Sequence, residues 1–122
     1  MIDYAQDVGR ALNLNDPPSV KYQKMPPMDG DMVFGFYNDE QNDITLNEWV
    51  LKQEYAYYMF SVTRHELFHA YQYRIIRGDL QTEPQFIVDL WHEAKENYEE
   101  DLKNQYTYEN NALEVSARAF GG

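Results

Sequence analysis

The stretch "TRHELFHAYQ", Thr63 to Gln72, holds two of the chain's three histidines, His65 and His69, with Glu66 directly after the first. On an α-helix, residues four apart differ by about 40° in direction, so both imidazoles project from one face and can share a single divalent ion. Glu66 points about 100° further round, beside such an ion rather than on it. That is the position from which a carboxylate takes a proton from an activated water, the division of labour found in H-E-x-x-H helices. The competing reading is two partly exposed helix histidines with an unrelated glutamate.

A catalytic zinc takes three protein ligands and keeps one position open, so a third ligand is required. There is no cysteine. The longer H-E-x-x-H-x-x-G-x-x-H pattern fails, because Gln72 stands in place of its Gly and Ile75 in place of its last His. His92, the remaining imidazole, lies beside Trp91 on an amphipathic stretch and reads as a surface or supporting residue. Two carboxylates in "YTYENNALEVSARAF" are better placed: Glu109 and Glu114, each with Ala three residues on, at Ala112 and Ala117. A small residue one turn after the ligand lets its helix approach the histidine helix closely. Glu114 sits within the apolar run Ala112, Leu113, Val115, Ala117 and Phe120, and a buried carboxylate needs a partner, so Glu114 is preferred. For stabilising a developing oxyanion, Tyr108, His92 and Arg118 are candidate donors.

These residues must be positioned by regular elements. Ile2, Ala5, Val8 or Gly9 and Leu12 recur at helical spacing before "NLNDPP" breaks the pattern, predicting a short helix over about 2–13. A strand near 19–24 precedes the turn signal "PPMDGD". "MVFGFY" (Met32 to Tyr37) and "ITLN" (Ile44 to Asn47), joined by the polar "NDEQND", read as a hairpin. No Pro or Gly interrupts Glu48 to Arg77; Thr45-x-x-Glu48 or Asn47 offers a cap and Gly78 a stop, placing the histidines late in a long helical segment. Thr82 is expected to cap a further helix with Pro84 in its first turn and a stripe of Phe86, Leu90, Ala94, Tyr98 and Leu102, widened by Ile87 and Trp91. A last helix runs from about Glu109 to Phe120.

Composition bounds the class. With 122 residues, 43% hydrophobic and 16% aromatic, the chain is expected to form one domain over 1–122. "MIDYAQDVGR" has no signal-peptide pattern and no stretch approaches the roughly 20 apolar residues of a membrane span, which predicts a soluble, cytoplasmic protein. The net charge of −11 repels phosphate backbones and anionic bilayers, arguing against nucleic-acid and membrane partners. From Asp79 to Asp101 eight acidic residues face one basic residue, Lys95, which reads as a solvated face before it reads as a nucleic-acid mimic.

Taken together, "GFYNDEQNDITLN", "HELFHAYQ" and "LEVSARAF" resemble the hairpin, active-site helix and third-ligand helix of the minimal gluzincins, small His-His-Glu zinc peptidase domains common in phages and mobile elements. Relatives of that kind include peptidases that cleave phage immunity repressors. The likeness covers most of the chain from about Met32 onward. It implies an α+β, zincin-like (gluzincin) domain, a small antiparallel or mixed sheet on the HExxH helix, that hydrolyses peptide bonds. Zn2+ would be bound by His65, His69 and Glu114, with Glu66 as general base. It also implies that Ile44, Thr45 and Leu46 form an edge strand along which an extended peptide or protein substrate pairs. No helix-turn-helix pattern is read within these 122 residues, so the relatives' substrates are not expected to carry over. The alternative function is a non-hydrolytic, zinc-stabilised protein-interaction module of phage or mobile-element type.

Overall fold

The computed structural model describes residues 2–27 and 33–121. Its elements are α1 (Ile2–Ala11), β1 (Ser19–Gln23), β2 (Gly35–Asn38), β3 (Asp43–Asn47), two 3-10 turns (Glu48–Leu51 and Gln53–Tyr55), α2 (Ala56–Arg77), α3 (Gln85–Glu96), α4 (Tyr98–Asp101), α5 (Gln105–Asn110) and α6 (Ala112–Gly121). This is an α+β arrangement: a three-stranded sheet and α1, α3 and α6 all pack on α2. Among the described residues no helix is long and apolar enough to cross a membrane. Met32 and most of "PPMDGD" lie outside the described residues.

The sheet is mixed, with strand order β1-β3-β2. β2 pairs antiparallel with β3, Gly35 opposite Leu46 and Tyr37 opposite Ile44, as the hairpin reading expects. β1 pairs parallel with the other side of β3, Ser19 opposite Asp43 through Gln23 opposite Asn47. The expectation that Ile44, Thr45 and Leu46 form a free edge is therefore overturned. β3 is the middle strand and all three residues are fully buried. The free edges belong to β1 and β2.

Asn47 departs from its expected role as well. It precedes the first 3-10 turn but makes no side-chain cap. Its Nδ2 donates instead to the carbonyls of Met25 (2.9 Å) and Val33 (2.7 Å), joining the chain after β1 to the chain before β2. The continuous helix expected from Glu48 is regular only from Ala56, and it ends at Gly78 as expected.

α3 is capped by the Pro84 backbone without a side-chain bond, and the Thr82 hydroxyl pairs with Tyr71 (2.7 Å) rather than with the helix end. The buried face of α3 is Trp91 and Ala94, flanked by half-buried Ile87 and Val88; Phe86 and Leu90 are exposed, as is Leu102 beyond it. The residues expected only to widen the stripe are its centre, since the wedge that faces α2 and α6 covers about a third of the helix circumference.

The last predicted helix is two helices, divided at Asn111. This buried residue leaves helical geometry (ψ 133°), donates from Nδ2 to the Ala94 carbonyl (2.9 Å) and Asp101 (3.0 Å), and accepts from the Leu113 N–H (2.9 Å). One side chain thus caps α6 and fastens it to α3 and α4.

Candidate metal centre

α2 and α6 bring the ligand candidates together. In the middle turns of α2 the residues Glu66, Leu67, His69, Ala70 and Gln72 are buried, and His65 is half-buried. Close approach is made possible by small residues on α6. Ala117 is fully buried, and a Cβ on Gly121 would lie 2.6 Å from the His65 backbone nitrogen, so only glycine fits there. The Gly121 carbonyl is held by the Ser61 hydroxyl (2.9 Å) and the Arg64 guanidinium (3.0 Å).

Glu114 lies in the first turn of α6, where the helix dipole favours a carboxylate, and is 2% exposed. Its two oxygens face the two histidines: Oε2 is 3.1 Å from His65 Nε2 and Oε1 is 3.0 Å from His69 Nε2. Tyr98 also donates its hydroxyl to Oε1 (2.8 Å). The His65 and His69 rings meet edge to face at 4.8 Å, and Glu66 offers an oxygen close to both, all three ligand atoms lying within 4.8 Å of one another. Ligand atoms about 2.0–2.1 Å from a tetrahedral ion are roughly 3.3 Å apart, and the separations of 3.1 and 3.0 Å between the histidine nitrogens and the Glu114 oxygens are close to that spacing. Two imidazoles and a buried carboxylate are also a donor set of the right chemical type.

The electrostatics fit the same geometry. Burial raises the Glu114 pKa, but the hydrogen bonds and positive charge of His65 and His69 outweigh it and hold the carboxyl well below its usual range. Burial lowers the basicity of His69, and the bond to Glu114 together with the charges of Glu66 and Glu114 reverses this, pushing its pKa up to about 9. The contact between His69 Nε2 and Glu114 Oε1 thus favours a proton on the imidazole and a charge on the carboxylate. Burial raises the Glu66 pKa, opposed by the two histidines and by a hydrogen bond from the Tyr37 backbone N–H.

β2 walls the site on its other side. The bond from Asn47 N–H to the Phe34 carbonyl (2.8 Å) sets the phase of the antiparallel ladder. Phe36 and Asn38 continue the hydrogen-bonded positions, and the N–H and C=O groups of Gly35 and Tyr37 turn away from β3. A Cβ on Gly35 would lie 2.7 Å from the Thr45 carbonyl and 3.1 Å from Val62, so glycine allows this strand to lie close against α2. Gly35, Glu66 and Tyr108 are shared by two adjoining hollows. One, of about 350 Å3, is walled by Val33, Phe34, Val62 and His65. The other, of about 260 Å3, is walled by Tyr37, Tyr73, Tyr98 and Glu114.

Of the remaining sequence candidates, Tyr108 lines both hollows. Burial, then the charges of Glu114 and Glu66, push its pKa up to about 12, so it stays a hydroxyl donor. His92 is exposed on α3 and lines neither hollow. Arg118 is exposed and donates to the Glu109 carbonyl. Glu109 is itself exposed on α5, accepting from Gln105 (2.7 Å). Sequence reasoning missed Tyr98, which sits on a different element with no local signal. It also missed Gln72, which stands one turn after His69 on the same buried face. Gln72 Oε1 is 2.9 Å from His69 Nδ1, and its Nε2 donates to the Leu113 carbonyl (3.1 Å).

A scan against protein-family models, a search of curated proteins and a search of solved structures each returned no match.

Proposed function

We propose that the chain is a zincin-like, minimal gluzincin peptidase that binds one Zn2+ through His65, His69 and Glu114 and hydrolyses peptide bonds. The observation that carries this reading is the convergence of both histidine Nε2 atoms on the two oxygens of one buried carboxylate, Glu114; Glu66 also offers an oxygen within 4.8 Å of both histidines, and we assign it the base's role rather than a ligand's. A zinc ion held there supplies Lewis-acid polarisation of a peptide carbonyl and makes water a nucleophile near neutral pH.

The chain's own residues supply the rest. Glu66, buried and raised in pKa, accepts the proton from water and passes it to the leaving amine. The hydroxyl of Tyr108, and that of Tyr98 once its bond to Glu114 loosens, are the donors in reach of a developing oxyanion. An extended substrate pairs along the free side of β2, at Gly35 and the Tyr37 carbonyl, the Tyr37 N–H being held by Glu66, and not along Ile44 to Leu46. Its side chains then enter the two hollows on either side of Glu66.

The test is turnover of a quenched-fluorescent peptide library by zinc-loaded protein, with Glu66→Gln as control. The expected result is cleavage by the wild type that falls at least about 100-fold in the variant. Zinc retained by both proteins with no cleavage by either would overturn hydrolysis and favour the zinc-stabilised interaction module.

A further inference from the structure

Gln72 is fully buried, and both ends of its amide are engaged. The Leu113 carbonyl can only accept, so the amide nitrogen faces it and the amide oxygen faces His69. That oxygen can only accept in turn, so the proton of a neutral His69 ring sits on Nδ1. The lone pair is then on Nε2, the atom 3.0 Å from Glu114. The other end of the same amide holds the carbonyl of the residue immediately before Glu114. One side chain therefore orients a ligand on α2 and anchors the start of the helix that carries a ligand from α6.

We propose that Gln72 is a positioning residue for the metal, selecting Nε2 of His69 as the ligating atom and setting the register of Glu114 against it. The inference rests on the zinc reading above and goes beyond it by naming the group that prepares the site. Groups that hold the second nitrogen of a ligating histidine fix its tautomer and orientation, and losing one typically costs 10–100-fold in metal affinity.

Two variants separate the roles of the two amide ends. Gln72→Met keeps the length and removes both bonds. Gln72→Glu keeps an acceptor toward His69 and loses the donor toward Leu113. Zinc affinity is measured by competition with a chromogenic chelator, and the protonation of each ring nitrogen by two-bond proton–nitrogen correlation spectra of histidine-labelled protein. The expected results are affinity about 10–100-fold weaker for Gln72→Met, a loss intermediate between wild type and Gln72→Met for Gln72→Glu, which keeps the acceptor toward His69 and gives up the bond to Leu113, and a protonated Nδ1 on His69 in the wild type with and without zinc. Equal affinity of wild type and Gln72→Met overturns the proposal while leaving the zinc site standing. Equal loss in both variants overturns the selection of Nε2. If Gln72→Met does not fold, the wild-type spectra decide, and an unprotonated Nδ1 overturns the proposal. Wild-type protein that binds no zinc instead overturns the functional reading on which it rests.

Discussion

At the scale of single residues, the two carboxylates considered as third ligand are separated by burial. Glu114→Ala removes a charged group from a closed site, leaves two imidazoles facing a void and frees the Tyr98 hydroxyl. It should abolish tight zinc binding and lower the melting temperature. Glu109→Ala removes an exposed side chain whose partner is Gln105, so stability should change by no more than about 0.5 kcal/mol and zinc affinity not at all. Thermal melts and zinc titration of the two variants side by side check this, and the reverse ranking would show that Glu109 had been wrongly set aside. His65, Glu66, His69 and Glu114 were legible in the sequence because spacing and apolar flanks report directly on helix faces. Tyr98 and Gln72 were not. Tyr98 reaches Glu114 from beyond a helix break at Asn97 that no local pattern announces, and a buried glutamine one turn from a histidine looks like any polar residue on a helix.

At the scale of elements, the sequence separated strands from helices but not the way they meet. "ITLN" alternates, as a strand with one solvent face does, yet β3 is covered on both faces and both edges. The partner that closes its outer edge is β1, some two dozen residues away, and local periodicity carries no information about long-range parallel pairing. Asn111 shows the same limit. Its neighbours "ENNALE" permit an unbroken helix, and only the bonds to Ala94 and Asp101 explain why the chain turns there. Asn111→Ala should therefore destabilise the fold by about 2–3 kcal/mol, the loss of a helix cap plus two buried carbonyl and carboxylate partners. It should weaken zinc binding as well, because α6 loses its anchor. Denaturant unfolding with and without zinc measures both effects; a variant as stable as wild type would mean that Asn111 does not fix the start of α6.

At the scale of the whole molecule, the buried pair His69 and Glu114 makes stability depend on pH. His69 titrates at about 9 in the folded metal-free protein against 6.5 in the unfolded chain. A raised histidine pKa adds stability that is complete below 6.5 and lost as pH rises through about 9. Glu114 is shifted the other way, so its contribution is present above its ordinary 4.5 and lost as pH falls through the lower folded value. The metal-free protein should thus be most stable between about pH 4.5 and 6.5, and its melting temperature should fall between pH 6.5 and 9. Zinc displaces the proton, so zinc affinity should instead rise over that alkaline range. A flat melting profile from pH 6.5 to 9 without metal would contradict the coupling of His69 to Glu114. The net charge of −11 limits partners without naming one.

The most direct test of the central claim is the zinc content of protein purified without added metal, measured alongside His65→Ala and Glu114→Ala. One zinc per wild-type chain, lost from both variants, is the predicted result. No bound zinc in the wild type, or zinc that survives the loss of Glu114, would contradict it.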